Sequence, residues 1–495
     1  MVYNDAHLML TRVLSVGESL SRRLMQLIDG RVFGNRGRLL FNPVSCDRVE
    51  FVGNTLVKMG PFGFAEYPIT SSAAANSLDN FEFVSCKKSA ANEFQVENSF
   101  VSVRISGSGQ VLSLLDKRVS PCREVIDLSS SSHSFGNALL LYDDVPFYWD
   151  AWDIFPYHLH RGKCVNMQPV VAKTALLIDG KEILLENSSI EKVSGFNRVT
   201  VSVTLTGWGN DPRTALTQHI SISSQSALIE FDTQVLWFES HKILKVEFPL
   251  SVRSTNAAFD IQYGLHYRPT HSNHSTDAAR FEVCGHKFAD ISEPGYGVAL
   301  LNDCKYGYSC RGGTICLSLL RAPKSPDENC DMGEHSFKYA LLPHLATGVH
   351  LGSVVAAATI FNNPIVLLSD TGKIGSDDGD SLTGDKKGLF AIGAAHREVL
   401  AIDAVKLAED LSGDVILRVV ESVGSRGQAT LMINALNNRA ATVQICGMNE
   451  EIITTNDILP LRDIQQAHEE GYNQGFSFAF LPFKVITFRI RYDDK

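Results

Sequence analysis

The chain has 495 residues with 45 basic and 55 acidic side chains, so its formal net charge is −10 at pH 7. Hydrophobic residues make up 44% and charged residues 20%, which is typical of globular proteins and excludes a largely disordered chain. At about 150 residues per domain, this length predicts about three domains. The acidic balance is unfavourable for holding a phosphate backbone, so we expect no nucleic-acid partner.

The N-terminal sequence MVYNDAHLMLTRVL carries Asp5 and Arg12 and has no continuous apolar run, which argues against a secretory signal. The longest apolar run, 354–361, is far shorter than a bilayer span, so we expect no membrane partner. Ten cysteines occur at irregular spacings without a CxxC pair. Disulfide frameworks and zinc modules need closer or denser patterns. These features together predict a soluble cytoplasmic protein with reduced thiols.

Residues 5–29 have the one convincing helical period of the chain. The apolar residues recur three or four positions apart and form a single stripe, made of Leu10, Val13, Leu14, Leu20, Leu24, Leu27 and Ile28. Asp29-Gly30 is predicted to end the helix. A helix with one apolar face needs a packing partner, so we expect that a segment N-terminal to it is missing.

From Arg38 onward the hydrophobic period changes to two, which is typical of half-buried antiparallel strands. Asp179-Gly180 lies between two such runs and is a strong hairpin signal, and 106–109 is a second one. The fold class is therefore predicted to be mainly β, with antiparallel β-sandwiches. The predicted strands include 39–44, 100–105, 174–178, 199–205, 229–237, 244–252, 415–420 and 485–492.

The densest functional candidate lies between residues 143 and 158, where aromatic and carboxylate side chains alternate. Aromatic rings stack on the apolar faces of sugars, and carboxylate oxygens accept hydrogen bonds from sugar hydroxyls. The alternative is a structural segment whose rings fill the core and whose carboxylates bind backbone amides. The candidate substrate-binding residues are Asp144, Tyr148, Trp149, Asp150, Trp152, Asp153 and His158.

Other chemistry-bearing patterns are weaker. Three histidines fall within 266–274, but a proline interrupts the segment and no helical HxxxH spacing accompanies them, so we expect loop histidines and no metal site. The sequence has no GxSxG, Walker or GxGxxG motif. No pair of Asp or Glu residues lies in a sequence context typical of the acid/base and nucleophile of a glycosidase. We therefore predict no catalytic residue in this chain.

Several motifs together resemble one family. The string DVPFYWDAWD, which ends at Asp153, resembles the Asp-x-Pro-x-x-Trp-Asp-Ala-Trp-Asp signature of α-mannosidases in glycoside hydrolase family 38. Further similar strings follow in the expected order: RPTH at 268–271, ARFE at 279–282, ALLNDCKYG at 299–307 and LLRAPK at 319–324. The neutral cytosolic branch is the most similar.

The resemblance implies a retaining α-mannosidase that acts on mannose-containing oligosaccharides and uses zinc or cobalt. It also implies that the nucleophile, the acid/base and the metal ligands lie in a preceding β/α barrel. This chain alone is then expected to be inactive and to bind no metal, and a homo-oligomer is plausible. The implied domains are the end of a helical domain (1–34), a short β segment (35–80), a galactose mutarotase-like supersandwich (81–368), a linker (369–388) and a small C-terminal β domain (389–495).

Two departures from the family pattern affect this implication. Thr276 stands where the family has Trp, and His160 stands where it has Glu.

Two alternatives to the mannosidase hypothesis stay open at this point: a non-catalytic carbohydrate-binding or structural module, and a mutarotase-like sugar epimerase with a histidine and a carboxylate as base and acid.

Overall fold

The computed structural model describes residues 2–32, 39–53, 55–66, 83–89, 91–129, 134–160, 162–167, 171–183, 193–345, 351–367, 388–434, 441–453 and 471–492. Strands account for 51% of the described residues and helices for 12% of them. Every strand pair among these residues is antiparallel. The prediction of a mainly β, antiparallel protein is confirmed. The predicted linker at 369–388 lies, apart from its last residue, outside the described residues.

The described residues form three α-helices and a long series of short strands. The helices are α1 (Val2–Val32), α2 (Ser275–Ala279) and α3 (Gly352–Asn362). The strands in chain order are β1 (Leu39–Phe41), β2 (Arg48–Val52), β3 (Thr55–Met59), β4 (Phe64–Glu66), β5 (Val84–Lys88), β6 (Phe94–Glu97), β7 (Val101–Ile105), β8 (Val111–Asp116), β9 (Arg123–Glu124), β10 (Ala138–Asp143), β11 (Gly162–Cys164), β12 (Val171–Ile178), β13 (Lys181–Ile183), β14 (Val193–Phe196), β15 (Arg198–Thr206), β16 (Ala215–Ser223), β17 (Ile229–Trp237), β18 (Lys242–Pro249), β19 (Asn256–Ile261), β20 (Gly264–Pro269), β21 (Val283–Cys284), β22 (Phe288–Glu293), β23 (Tyr296–Asn302), β24 (Gly307–Arg311), β25 (Thr314–Arg321), β26 (Gly333–His344), β27 (Val366–Leu367), β28 (Phe390–Ile392), β29 (Leu400–Leu407), β30 (Val415–Glu421), β31 (Gly427–Ile433), β32 (Ala441–Cys446), β33 (Gln474–Phe480) and β34 (Val485–Tyr492).

Residues 79–362, with 422–425, form one compact unit around three sheets. The largest sheet has ten strands in the order β13-β12-β15-β16-β17-β26-β23-β22-β19-β20. Two six-stranded sheets accompany it, in the orders β14-β5-β6-β7-β8-β9 and β11-β10-β18-β25-β24-β21. One core cluster contains buried residues from all three sheets, for example Val103, Phe231 and Phe248. The sheets therefore pack as an extended sandwich around a common apolar layer.

Both predicted hairpins are present in this unit. Ile178 pairs with Lys181 across the turn made by Asp179 and Gly180, where both residues have positive φ. Strands β7 and β8 pair across the 106–110 turn. These turns were predictable because Asp-Gly and Gly-rich pairs adopt positive φ at low steric cost.

The helix α3 was not predicted from the sequence. It is apolar nearly all round, and Val354 and Ala358 are buried against residues such as Phe288 and Leu301 on the ten-stranded sheet. A short continuous apolar run has no helical or strand period, so the sequence pattern did not distinguish a buried helix from a strand.

The other compact unit comprises residues 1–78, 363–421 and 426–495. It contains the three-stranded sheets β27-β1-β4 and β28-β31-β33, the hairpin β2-β3, and the four-stranded sheet β29-β30-β34-β32. The rings of Phe478 and Phe488 lie 5.0 Å apart between a three-stranded and the four-stranded sheet. This contact joins the two sheets of a small β-sandwich in the C-terminal region.

Helix α1 confirms the predicted N-terminal helix, although it runs to Val32, past the predicted end at Asp29-Gly30. A glycine in the last turn of a helix costs only about 1 kcal/mol, which does not suffice to end it. Leu10, Val13 and Leu14 are 64–67% exposed on its apolar stripe. No helix among the described residues is both long and apolar enough to cross a bilayer, and none of the ten cysteines, all of which are described, forms a disulfide.

Candidate functional site

The candidate segment 144–158 connects β10 to β11 at the edge of a six-stranded sheet. It leaves the sheet at Asp144, whose backbone N–H donates to the carbonyl of His241 at 2.8 Å, and it ends in a 3₁₀ turn at Pro156–His160. No strand is assigned between these points. The predicted carbohydrate-binding residues therefore lie on a loop that is fixed at both ends.

Arg321 at the end of β25 holds the first half of this loop. Its guanidinium pairs with the carboxylate of Asp144 (Nε to Oδ2, 2.6 Å) and donates to three carbonyl oxygens: Ala151 at 3.2 Å, Asp150 at 2.7 Å and Asp153 at 2.5 Å. Asp144 is only 1% exposed. A planar guanidinium with several donors suits this multiple contact better than a lysine would. We call this arrangement the Arg321 clamp.

Asp150 fixes the loop from a second direction. Its Oδ2 accepts the backbone N–H groups of Lys324 at 2.6 Å and Ser325 at 3.0 Å. Its Oδ1 is buried without a hydrogen bond and lies 3.7 Å from Nδ1 of His241. The side chain is 14% exposed. In this conformation the carboxylate therefore serves mainly to bind backbone amides.

The clamp presents two tryptophans to solvent. Trp149 has a positive φ of 53°, and its carbonyl accepts the N–H groups of Trp152 at 2.7 Å and Asp153 at 2.8 Å. This tight turn places the two indole rings edge-to-face, with centroids 6.2 Å apart. Trp149 and Trp152 are 69% and 68% exposed, and Tyr148 is 72% exposed. Exposed aromatic surface of this extent is typical of a binding surface.

A second aromatic group supports the loop beside the tryptophans. The rings of Phe147, Phe155 and Tyr157 lie within 5.6–5.7 Å of one another, and the Tyr157 hydroxyl donates to the carbonyl of Val145. Phe147 is still 75% exposed. The apolar surface thus continues from the tryptophans along the loop.

His158 is buried beneath the loop and is 1% exposed. Its Nδ1–H donates to the carbonyl of Phe155 at 2.6 Å, and its ring lies edge-on to Tyr142 and Phe281, with centroids 5.6 Å and 5.8 Å away. The Nε2 atom is buried without a hydrogen bond. Burial lowers the pKa of His158; the hydrogen bond to the Phe155 carbonyl and the carboxylates of Glu282 and Asp144 oppose this effect, and nearby Lys245 reinforces it.

Charged side chains lie under His158 on the outer face of the six-stranded sheet. Lys245 on β18 is paired with Glu282, and Ser318 on β25 donates its hydroxyl to the other oxygen of Glu282 at 2.5 Å. Lys245 is 3% exposed. A buried ion pair of this kind adds little net stability but fixes geometry, because losing either partner leaves an unpaired buried charge. The layer therefore anchors the base of the loop.

The neutral, buried state of His158 predicts acid sensitivity. Because the pKa of His158 is lower in the folded chain, the unfolded chain binds more protons below about pH 6.5. The free energy of unfolding therefore decreases as the pH is lowered. The variant His158→Asn keeps a donor for the Phe155 carbonyl but does not titrate. We expect its stability to decline less steeply than that of the wild type between about pH 7 and about pH 5 in urea unfolding.

The matched control is His335→Asn, which removes a half-buried histidine on β26 whose Nε2–H donates to the carbonyl of Asp331 at 2.7 Å. It is expected to retain the wild-type dependence on pH. An equal slope for His158→Asn and the wild type would contradict this assignment, whatever the absolute stability of the variant.

The structure separates the predicted site residues into two groups. Tyr148, Trp149, Trp152 and Asp153 are exposed together on the loop, whereas Asp144, Asp150 and His158 lie beneath it and hold it. Arg321, which joins the two groups, was not among the predicted site residues. It belongs to the LLRAPK string, whose similarity to the family was the one available signal.

A metal site does not fit the described residues. They contain no group of three or more His, Cys, Asp or Glu side chains that could hold a metal ion. The three histidines within 266–274 do not form such a group. A zinc or cobalt ion would therefore need ligands from outside the described part of this chain, and no chemical step is assigned to a metal here.

Comparison with known proteins identifies the central unit. The model of the Glycosyl hydrolases family 38 C-terminal domain matches residues 96–329, a range that contains the whole candidate loop and Arg321. Alpha-mannosidase G of Dictyostelium discoideum is 33% identical over 439 residues, which cover 88% of this chain and 36% of that protein. Alpha-mannosidase 2C1 of Homo sapiens is 37% identical over 344 residues, 68% of this chain and 30% of that protein.

The fold is also similar to a solved structure. An alpha-mannosidase from Enterococcus faecalis V583 superposes with a TM-score of 0.60 at 14% identity, covering 91% of this chain and 48% of that one. This likeness concerns the fold alone. The matched part amounts to about a third of the length of the curated relatives and about half of the solved chain.

Proposed function

This chain belongs to glycosyl hydrolase family 38, and from that premise we propose that it forms the C-terminal, sugar-facing part of an α-mannosidase. The complete enzyme would hydrolyse α-mannosides, including mannose-containing oligosaccharides, with retention of configuration. The observation that carries this proposal is the Arg321 clamp, which presents Trp149 and Trp152 to solvent above a buried charged layer.

The chemistry of the exposed loop supports a sugar as the ligand. Indole rings pack against the C–H faces of a pyranose, and the Trp149 and Trp152 rings lie at nearly right angles, at 87°. Asp153 is exposed beside them and offers a carboxylate for sugar hydroxyls. We propose that these residues, with Tyr148, line the rim of the mannose pocket and contact the substrate.

The buried residues have a supporting role in this proposal. Asp144, Asp150 and His158 act through the position of the loop rather than by touching the sugar in the conformation described. The nucleophile, the acid/base and the zinc or cobalt ligands would come from the barrel that family members carry. A retaining glycosidase needs its two carboxyl groups about 5–5.5 Å apart, and we propose that neither belongs to this chain.

The proposal predicts that the purified chain alone does not hydrolyse an aryl α-mannoside. The expected rate equals the no-enzyme background with no added metal, with zinc and with cobalt, because the proposal assigns the reacting carboxylates to the barrel. Release of the aryl alcohol is the measurement, and a complete family 38 α-mannosidase serves as the positive control. Robust turnover that is lost in an Asp or Glu variant of this chain would contradict the proposal.

We propose a cytoplasmic location on the resemblance to the neutral cytosolic branch, and a homo-oligomer as the assembled state.

A non-catalytic carbohydrate-binding module remains the second candidate, because the pair of indole rings of Trp149 and Trp152 is exposed in this chain by itself. Isothermal titration of the isolated chain with an oligomannoside distinguishes the two. Tight binding without a barrel favours the module, and weak or absent binding favours an incomplete enzyme site.

A further inference from the structure

A small cavity in the central unit is lined by three arginines that the proposed mannosidase role does not use. Arg268 on β20, Arg280 just after α2 and Arg311 at the end of β24 lie around it, with Phe259 and Asp277. Its volume is about 20 Å³. The cavity therefore has room for water or for a small ion.

The arginines are only partly paired. The guanidinium of Arg268 lies over the face of Phe259, 4.6 Å from the ring centroid, and its NH1 atom is buried without a hydrogen bond. Arg311 donates through NH2 to the carbonyl oxygens of Asp277 at 3.1 Å and Ala278 at 3.3 Å. No carboxylate is paired with Arg268, Arg280 or Arg311 among the ion pairs of the described residues.

The charge around the cavity is positive. Asp277 is the one carboxylate lining it, and Oδ2 of Asp277 lies 3.7 Å from Nδ1 of His271. Burial lowers the pKa of Arg268; the Cys284 and Cys310 thiols oppose this effect, and repulsion from Arg280 reinforces it. Arg280 is exposed and Arg268 and Arg311 are half-buried, so the three positive charges repel one another beside a partly open cavity, and an anion there would offset that repulsion.

We propose that this cavity binds one small inorganic anion, chloride in physiological solution, between β20, α2 and β24. The unbonded NH1 of Arg268 donates to it, and Arg280 and Arg311 supply the remaining positive charge. The ion also fixes Arg280, whose chain neighbours Phe281 and Glu282 contact His158 and Lys245 under the candidate loop.

The test uses the full 495-residue chain and compares chloride with gluconate at constant ionic strength. We expect saturating chloride to raise Tm by about 3 °C, since a ligand of the native state stabilises by mass action. We also expect excess line broadening of the ³⁵Cl NMR signal that bromide reverses by competition. Arg268→Met and Arg280→Gln should abolish both effects.

Arg198→Gln is the matched control, because Arg198 is an exposed arginine of the same unit and pairs with Glu230. It should retain both effects. If Arg268→Met does not fold, the chloride effect is compared between Arg280→Gln and the wild type, because Arg280 is exposed and its replacement should not prevent folding. Equal Tm in chloride and gluconate, or a chloride effect of the same size in Arg280→Gln and the wild type, would mean that the cavity holds water and would overturn the proposal.

Discussion

Replacing Arg321 with Met is expected to lower the free energy of unfolding by about 3–5 kcal/mol, because it leaves the buried Asp144 carboxylate without its partner. It also removes the three hydrogen bonds to the carbonyls of Ala151, Asp150 and Asp153. We expect the loop to open locally before the unit unfolds. Urea unfolding measures the stability, and limited proteolysis within 144–158 measures the opening.

Two variants control this prediction. Arg321→Lys keeps the positive charge but lacks the planar guanidinium with its several donors. It should therefore lose less stability than Arg321→Met, while the loop still becomes accessible to protease. Arg198→Met removes an exposed ion pair and should change stability by no more than about 1 kcal/mol. If Arg321→Met were as stable and as protease-resistant as Arg198→Met, the clamp would have no part in holding the loop.

The second large effect concerns Asp150 in a hybrid enzyme, in which this chain follows the barrel of a related α-mannosidase. We expect Asp150→Ala to lower kcat/KM tenfold to a hundredfold, which corresponds to about 1.4–3 kcal/mol. It should also lower Tm, because the amides of Lys324 and Ser325 lose their acceptor. The effect arises because the loop, and with it the tryptophan pair, moves.

Asp150→Asn is the matched control for this effect. The amide oxygen retains an acceptor of the same shape for the two backbone N–H groups, so most of the activity and of the thermal stability should return. A loss in Asp150→Asn as large as in Asp150→Ala would point instead to a direct need for the carboxylate charge at the substrate. Normal kcat/KM in both variants would exclude Asp150 from any role in the site.

Much of the fold could be predicted from the sequence because its determinants are local. The alternation in 199–205 and the Asp179-Gly180 turn predicted β15 and the β12-β13 hairpin, which both formed. Alternation does not specify which strands become neighbours across the ten-stranded sheet. That order depends on contacts between residues far apart in sequence, such as the pairing of β17 with β26.

The candidate loop could be predicted from its composition, but its support could not. Arg321 lies 177 residues after Asp144. The two meet because β18 pairs with β10 on one side and with β25 on the other, so that Lys242 lies opposite Asp143 and Ile243 opposite Arg321. No local pattern around residue 321 encodes this register. The division of the loop into exposed residues, such as Trp152, and supporting carboxylates, Asp144 and Asp150, follows from the same long-range contact.

The most direct measurement of the central claim, that this chain supplies the sugar-facing surface of an α-mannosidase, is kcat/KM and Tm of Trp152→Ala in the hybrid enzyme. Trp152 is 68% exposed, so its removal should leave Tm unchanged. Loss of ring stacking on the sugar should lower kcat/KM by about tenfold or more. An unchanged kcat/KM at an unchanged Tm would contradict the claim, and so would a fall in Tm with normal activity per folded molecule.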